Sequence, residues 1–388
     1  MSARRQAGQH GSALSLLAEL LVERPGQRVS NKLTDWPRDR ASELTELARE
    51  HGVEAWLAGR APLAEPAWAE LAAQRPKFLA AQARTLAAAR DFGALLDARS
   101  LPWLVLKGPA LAHSSYPRPE LRHYVDLDLL VSATDFAEVL AILDGAGYLL
   151  VDRNWPLLER YHPGELRLHS PRGVLLDLHW SIFNDAARRA AFRADTSQLL
   201  GRRRILEPVR LPALCASDQF VHVGLHAALS GANRLGWLLD VHLAAQAGLD
   251  WDEVLAVAER TGAGPSLALV LSRASRLLGT AVDRSVLIAL AGGPGWLAIG
   301  RWLDRLSPIQ PDPNRPSLAR SVARSLRSDG RASARELARH AWLWLRSGAT
   351  RDYARPEWRE ADNPASAMRD VPDPGARDRY LAAVGRSG

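Results

Sequence analysis

Cysteine is nearly absent. Cys215 stands alone, which excludes an internal disulfide and suits a reducing compartment. Lysine is almost as scarce: Lys32, Lys77 and Lys107 are the only three against a formal charge of +7, so nearly every cation is an arginine. That bias, with abundant alanine, is the usual mark of a GC-rich bacterial genome, and the positive balance still permits a phosphate-bearing substrate. Long apolar runs are missing too. No stretch approaches the roughly 18 consecutive apolar residues of a spanning helix, and no membrane span is expected. The opening segment, MSARRQAGQHGSALSLLAELLVERP, places Glu19 and Glu23 within its apolar run and lacks a small-residue cleavage site. It reads as an amphipathic helix and not as a signal peptide, and a cytoplasmic location is expected. No internal repeat is visible. With 388 residues the chain has room for two or three domains of roughly 100–200 residues each.

What is present changes character along the chain. Residues 1–75 form a helical N-terminal region, with apolar residues at helical spacing in ALSLLAELL and ELTELAREHGVEAWL and turn signals at Asn31 to Pro37 and Pro62 to Pro66. A long Ala-rich helix is expected from Pro76, with proline at its start. The pattern over 76–211 then becomes mixed. WLVL (103–106) is a short buried strand ending in Lys107-Gly108-Pro109. YVDLDLLV (124–131) alternates acidic and apolar side chains as a half-buried strand does. SATDFAEVLAILDGAGY is a helix with Ser132 or Thr134 as cap. ELRLHS and VLLDLHWSIF flank Pro171-Arg172-Gly173 as a β-hairpin. This order predicts an α+β fold with a mixed sheet. Residues 212–306 return to helical periodicity, and 307–388 form an Arg-rich helical tail whose last twenty or so residues look loosely ordered.

Residues two apart on a strand share a face, so Asp126 and Asp128 project together while Val125, Leu127 and Leu129 pack on the other side. Such alternation is also what any half-exposed strand shows. Aspartate, however, is a poor strand former, and two on one strand with Asp177 on another are locally unfavourable choices of the kind that collect at functional sites. Close carboxylates repel unless a cation sits between them. Mg²⁺ is a hard ion that binds through carboxylates and substrate phosphates, and two such ions about 3.5–4 Å apart hold both oxygens of an in-line phosphoryl displacement. Lys107 and Gly108, at the end of the first strand and before a helix N-terminus, suit a triphosphate. Arg122 lies just upstream of the aspartate pair, within reach of phosphate. His179, two residues after Asp177, could contact substrate or orient that aspartate.

The run LVLKGPALAHSSYPRPELRHYVDLDLLV, followed by GVLLDLHWSIF, resembles the bacterial family of uncharacterised nucleotidyltransferases within the polymerase-β-like superfamily. The matching features are Lys107-Gly108, Tyr116-Pro117, Arg122, Asp126 to Val131 and Asp177 to Trp180; a later stretch, HAALSGANRLGWLLDVHLAAQAGLDW, is also similar. The resemblance covers about 76–255. It implies a minimal nucleotidyltransferase core flanked by helical regions, with Asp126, Asp128 and Asp177 binding Mg²⁺. It also implies transfer of a nucleoside monophosphate from an NTP to an acceptor hydroxyl, releasing pyrophosphate. Most of the superfamily carries Gly-Gly or Gly-Ser after the first strand, where this chain has Lys107-Gly108-Pro109 and a longer gap, so its phosphate grip differs. The acceptor, expected between sheet and C-terminal helices, is open: a small molecule, a peptide or a protein.

The rival class is a non-catalytic nucleotide-sensing protein, or one that binds nucleic acid or another partner. Its main support is Arg320, Arg324, Arg327, Arg331, Arg335 and Arg339, which recur every three or four residues as a basic helical face. Such a face could bind phosphates, but no nucleic-acid-binding signature accompanies it, and a solvated face is favoured. His222 and His226, four apart on a helix, would suit a metal, yet helix packing or acceptor-pocket polarity fits them better. Cys215 has no partner pattern for a nucleophile. Should Asp177 not serve as the third carboxylate, Glu165 is next.

Overall fold

The computed structural model describes residues 13–22, 33, 35–59, 66–306, 309–313, 317–347 and 366–387. The turn signal at 62–66 falls outside them but for Pro66, and that at 31–37 is described only at 33 and 35–37. Seven strands form one mixed sheet: β1 (Trp103–Val105), β2 (Asp126–Val131), β3 (Leu149–Leu150), β4 (Glu165–His169), β5 (Leu175–His179), β6 (Arg204–Leu206) and β7 (Leu211–Ala213), in the order β3-β4-β5-β2-β1-β7-β6. β2 runs parallel to β5, and β1 to β7; the remaining neighbours are antiparallel. The mixed sheet and the β4–β5 hairpin are as the sequence predicts. Gly173 closes the hairpin at φ +71, a left-handed conformation that glycine adopts without a Cβ penalty.

β2 and β5 sit at the centre of the sheet, so they are buried on both faces. Leu127, Leu129, Leu176 and Leu178 enter a core shared with Phe92, Phe136 and Leu158 from helices on one side. On the other side Leu104, Leu106, Leu130, Leu200 and Leu214 form a small apolar layer. Half-burial of β2 was therefore the wrong expectation: after Asp126 every residue of the strand is buried, whereas Val125, expected to pack, is 61% exposed just before it.

The helical region from 212 onward matches the periodicity, with helices Ala216–Leu229, Leu235–Ala245, Trp251–Thr261, Gly264–Leu278 and Pro294–Leu306, and adds Arg284–Ala291. Four expectations fail. The long helix spans Ala69–Asp97 with Pro76 inside it, because Ala69 to Gln74 are strong enough helix formers to extend it upstream. Neither Ser132 nor Thr134 caps the next helix; Asp135 occupies the cap position without a side-chain bond, and Ser132 Oγ accepts from the Thr134 amide instead. The arginine series does not form one solvated face. It is split between Leu318–Ser325 and Gly330–Ser347, Arg320 and Arg327 are buried, and Glu336 pairs with both Arg327 and Arg339. Finally, the chain end is not loose: Pro374–Gly385 is a helix capped by Asp373. Its Ala376, Tyr380 and Val384 are wholly buried against the sheet's apolar core, and the Tyr380 hydroxyl donates to the Pro163 carbonyl at 3.0 Å.

Candidate active site

The register of the central strands assembles the acidic side chains. On the parallel pair β2–β5, Asp128 stands opposite Asp177; on the hairpin, Asp177 stands opposite Arg167 and His179 opposite Glu165. Paired residues project to the same face, so Asp126, Asp128, Asp177, His179, Glu165 and Arg167 share one side of the sheet. Asp128, Asp177 and His179 each offer a ligand atom, and these atoms lie within 4.8 Å of one another. Asp126, half-buried on the same face, is outside that group.

Positive charge around this cluster is short. Lys107 Nζ lies 2.9 Å from Asp128 Oδ1, and His179 Nε2 lies 3.2 Å from the same oxygen. His179 Nδ1 is 3.2 Å from Glu165 Oε2 but without hydrogen-bond geometry. Burial alone would raise the Asp128 pKa; Lys107 and His179 outweigh it and hold the carboxyl well below its ordinary range. No such partner reaches Asp177. Its Oδ1 is buried without a donor, and burial together with the charges of Glu165 and Asp128 pushes its pKa up to about 7. Arg167, directly opposite, is turned to Asp152 at 2.6 Å. Burial and Asp128 likewise raise Asp126, against the pull of Lys107.

Lys107 is carried by the turn after β1. The Leu106 amide still donates to the Asp128 carbonyl at 3.0 Å; then Gly108, at φ +46, turns the chain into the helix Pro109–Ser114. Arg122, expected within reach of phosphate, is engaged by protein groups. Its Nε and Nη2 grip Asp240 at 2.9 and 3.1 Å, and its Nη1 donates to the Gly108 carbonyl at 3.3 Å. Tyr116 donates to Asp240 at 2.7 Å. The Tyr116 and Arg122 of the sequence pattern thus brace the Lys107–Gly108 turn against the helix Leu235–Ala245. Asp240, the centre of that brace, escaped the sequence reading: nothing local marks an aspartate in an apolar helix as the partner of residues more than a hundred positions away.

The family described as uncharacterised nucleotidyltransferase matches residues 37–279. The chain belongs to this family. No curated protein matches. Among solved structures, the antibiotic-resistance factor ANT(2'')-Ia, whose solution structure is described as revealing substrate-regulated conformation dynamics, is 14% identical. The match covers 50% of this chain and 94% of that one, with a TM-score of 0.32.

In this nucleotidyltransferase the helix Ala216–Leu229 passes over the acidic face. His222 and His226 are not a metal pair with a third ligand; among the described residues neither belongs to a group of metal-capable side chains. His226 packs edge-on to Trp237 at 6.0 Å. Burial and the nearby Lys107 charge push the His222 pKa down to about 3, so its ring is neutral, and its Nε2 is buried without a partner. His222 also lines a cavity of about 830 Å³ between the ends of β2 and β5 and the helices beyond, with Ser132, Trp180, Ser181 and Asp218. The enzyme's Cys215 donates to Asp218 at 3.0 Å, and burial raises its pKa, as suits a structural thiol. Among the described residues no helix is long and apolar enough to cross a membrane.

Proposed function

We propose that the enzyme moves a nucleoside monophosphate from an NTP to an acceptor hydroxyl, with Asp126, Asp128 and Asp177 as its metal-binding carboxylates. The observation that carries this reading is the orphaned Asp177 Oδ1, buried in an acidic face that one lysine and one imidazole leave undercompensated. A hard divalent cation fits that deficit, and Mg²⁺, taking oxygen ligands, is the ion such carboxylates suit. When bound, it would neutralise phosphate charge and lower the pKa of the acceptor hydroxyl.

The chain's own residues supply position and charge, which provide most of the catalysis in phosphoryl transfer. Asp128 is held by Lys107 and His179 and so is ionised and fixed before substrate arrives. Lys107 sits beside the N-terminus of the helix Pro109–Ser114, where a triphosphate can draw it away from Asp128 and so expose the carboxylate as the nucleotide docks. Arg122 positions that turn through Gly108 and Asp240 and does not itself contact nucleotide. His179 orients Asp128. In the reaction the acceptor oxygen forms a bond to the α-phosphorus, the α–β P–O bond breaks, pyrophosphate leaves with the electron pair, and the hydroxyl proton passes to solvent. NTP as donor and the lone cysteine both suit the cytoplasm.

The test is incubation with each α-³²P-labelled NTP, Mg²⁺ and lysate. Label should move to an acceptor, and both EDTA and Asp128→Asn should stop it. Transfer that persists in Asp128→Asn would remove the assignment.

A further inference from the structure

A cavity of about 830 Å³ does not contain the acidic cluster; it adjoins it. Ser181 follows His179 by two residues, and Ser132 follows Asp128 by four, so the cavity opens on the same face further along the same two strands. At about 830 Å³ it has the size of a small-molecule site. His222 stands at the join: it lines the cavity, while Lys107, Asp128 and His179 lie within electrostatic reach of its ring. Its buried Nε2 has no partner among the described residues, an omission that costs free energy unless a ligand satisfies it.

The wall of the cavity is specific about charge. Arg202 is neutralised by Asp218, 3.2 Å away, and by Glu253. Arg189 has no carboxylate partner among the described residues; it donates to the carbonyls of Phe183, Asn184 and His162 at 2.9, 2.8 and 2.5 Å and stacks on Trp180 at 4.5 Å. Arg193 and Arg260 at the mouth have no ion-pair partner among the described residues either. Of the two lining carboxylates, Asp218 is taken by Arg202, and Asp195 is held by the amides of Ser197 and Gln198 at the start of a helix. Arg189, Arg193 and Arg260 therefore outnumber Asp195, the one lining carboxylate without an arginine partner among the described residues, and the half-apolar space carries an excess of positive charge.

We infer that this cavity is the acceptor site, and that the acceptor is a hydroxylated small molecule bearing an oxyanion, held by Arg193 and Arg260 and hydrogen-bonded by His222 Nε2. The inference rests on the nucleotidyl-transfer reading above. The oxyanion, a carboxylate or a phosphate, anchors at the mouth, and a hydroxyl further along the molecule passes His222 toward the acidic cluster. A cationic acceptor would be repelled by the positive lining, and a folded protein acceptor would not enter.

The test uses the whole chain. The small-molecule fraction of a cell extract is split on an anion-exchange resin into retained and unretained pools, and each is offered with Mg²⁺ and α-³²P-labelled NTP. Binding of NTP is followed in parallel by calorimetry. Label should enter a small molecule from the retained pool alone, and phosphatase treatment of that pool tells phosphate from carboxylate acceptors. Arg193→Ala/Arg260→Ala, at exposed positions that leave the fold intact, should raise the amount of pool needed for half-maximal labelling by at least about tenfold with NTP affinity unchanged. His222→Phe should do the same and His222→Gln less. Labelling from the unretained pool, labelling of protein, or an unaltered double-arginine variant would overturn the inference. NTP binding without label from the retained pool would overturn it too, while leaving the nucleotidyltransferase reading in place; absence of NTP binding would strike that reading itself.

Discussion

Of the places where this molecule buries aspartate, two treat it in opposite ways. Asp304, 3% exposed, is surrounded by arginines: Arg273 bonds one oxygen, and Arg276 bonds the other through Nε at 2.9 Å and Nη2 at 2.6 Å. On the acidic face of the sheet, Lys107 and His179 contact Asp128, Arg167 is engaged by Asp152, and Asp177 Oδ1 has no donor among the described residues. A buried charge left unpaired is costly, so the first arrangement is what stability alone produces. The second fits the role proposed above, in which a cation from outside the chain would complete it.

Substitution at the two places should therefore have opposite signatures. On the acidic face, Asp126→Asn, Asp128→Asn and Asp177→Asn should each abolish transfer, a loss of at least about 10³-fold for groups that stabilise transition-state charge. Combining them should add little, since residues acting as one site cannot be lost twice; the transfer assay on single and double variants checks this. Asp304→Asn should instead cost about 3–5 kcal/mol of stability in a denaturant titration, because it strands Arg273 in the interior, and transfer by the folded fraction should be unchanged.

A third buried group sharpens the comparison from the side of pH. His51 is wholly buried; its Nδ1 accepts from the Leu235 amide at 3.2 Å, and its Nε2 faces the Pro311 carbonyl at 3.0 Å, so the neutral ring is the one that fits. Burial lowers its pKa to about 4. The folded value is below the unfolded one, so this contribution is fully present above about pH 6.5 and is lost as pH falls toward 4, amounting to about 3 kcal/mol. Urea midpoints between pH 7 and 4 should fall accordingly, and His51→Gln should flatten that part of the profile. The smallest effect is expected at Lys107. Lys107→Ala should weaken NTP binding by about 1.5–3 kcal/mol, the range for hydrogen bonds to charged groups, and should let divalent metal bind without nucleotide, since Asp128 is no longer occupied. Unchanged affinity for both in calorimetry would make Lys107 a partner of Asp128 and nothing more.

Features that local pattern encodes were legible in the chain itself. The Asp-x-Asp strand, the Asp177 hairpin, the Lys107–Gly108 turn and the helices after 212 each announce themselves within a dozen residues. What was not legible depends on distant partners. Arg122 reads as a free cation until Asp240, 118 positions away, closes on it. Arg320 and Arg327 read as solvated until packing buries them, and Pro374–Gly385 reads as a loose end until Tyr380 enters the core. β6 and β7, three residues each, are too short to show alternation, and Pro212 within β7 argues against a strand. The spacing of His222 and His226 marks them for packing or an acceptor pocket, but the lining of the cavity and the unpartnered His222 Nε2 emerge only on assembly.

The measurement that bears most directly on the central claim is the melting temperature of the wild type and of Asp177→Asn, each with and without Mn²⁺ and a non-hydrolysable NTP analogue. If the acidic face is a site short of positive charge, Asp177→Asn is at least as stable as the wild type in the absence of metal, because it removes one repelling carboxylate. The wild type then gains stability when metal and nucleotide are added, and the variant gains little. An Asp177→Asn protein that melts well below the wild type without metal, and that gains as much on adding metal and nucleotide, would contradict the account.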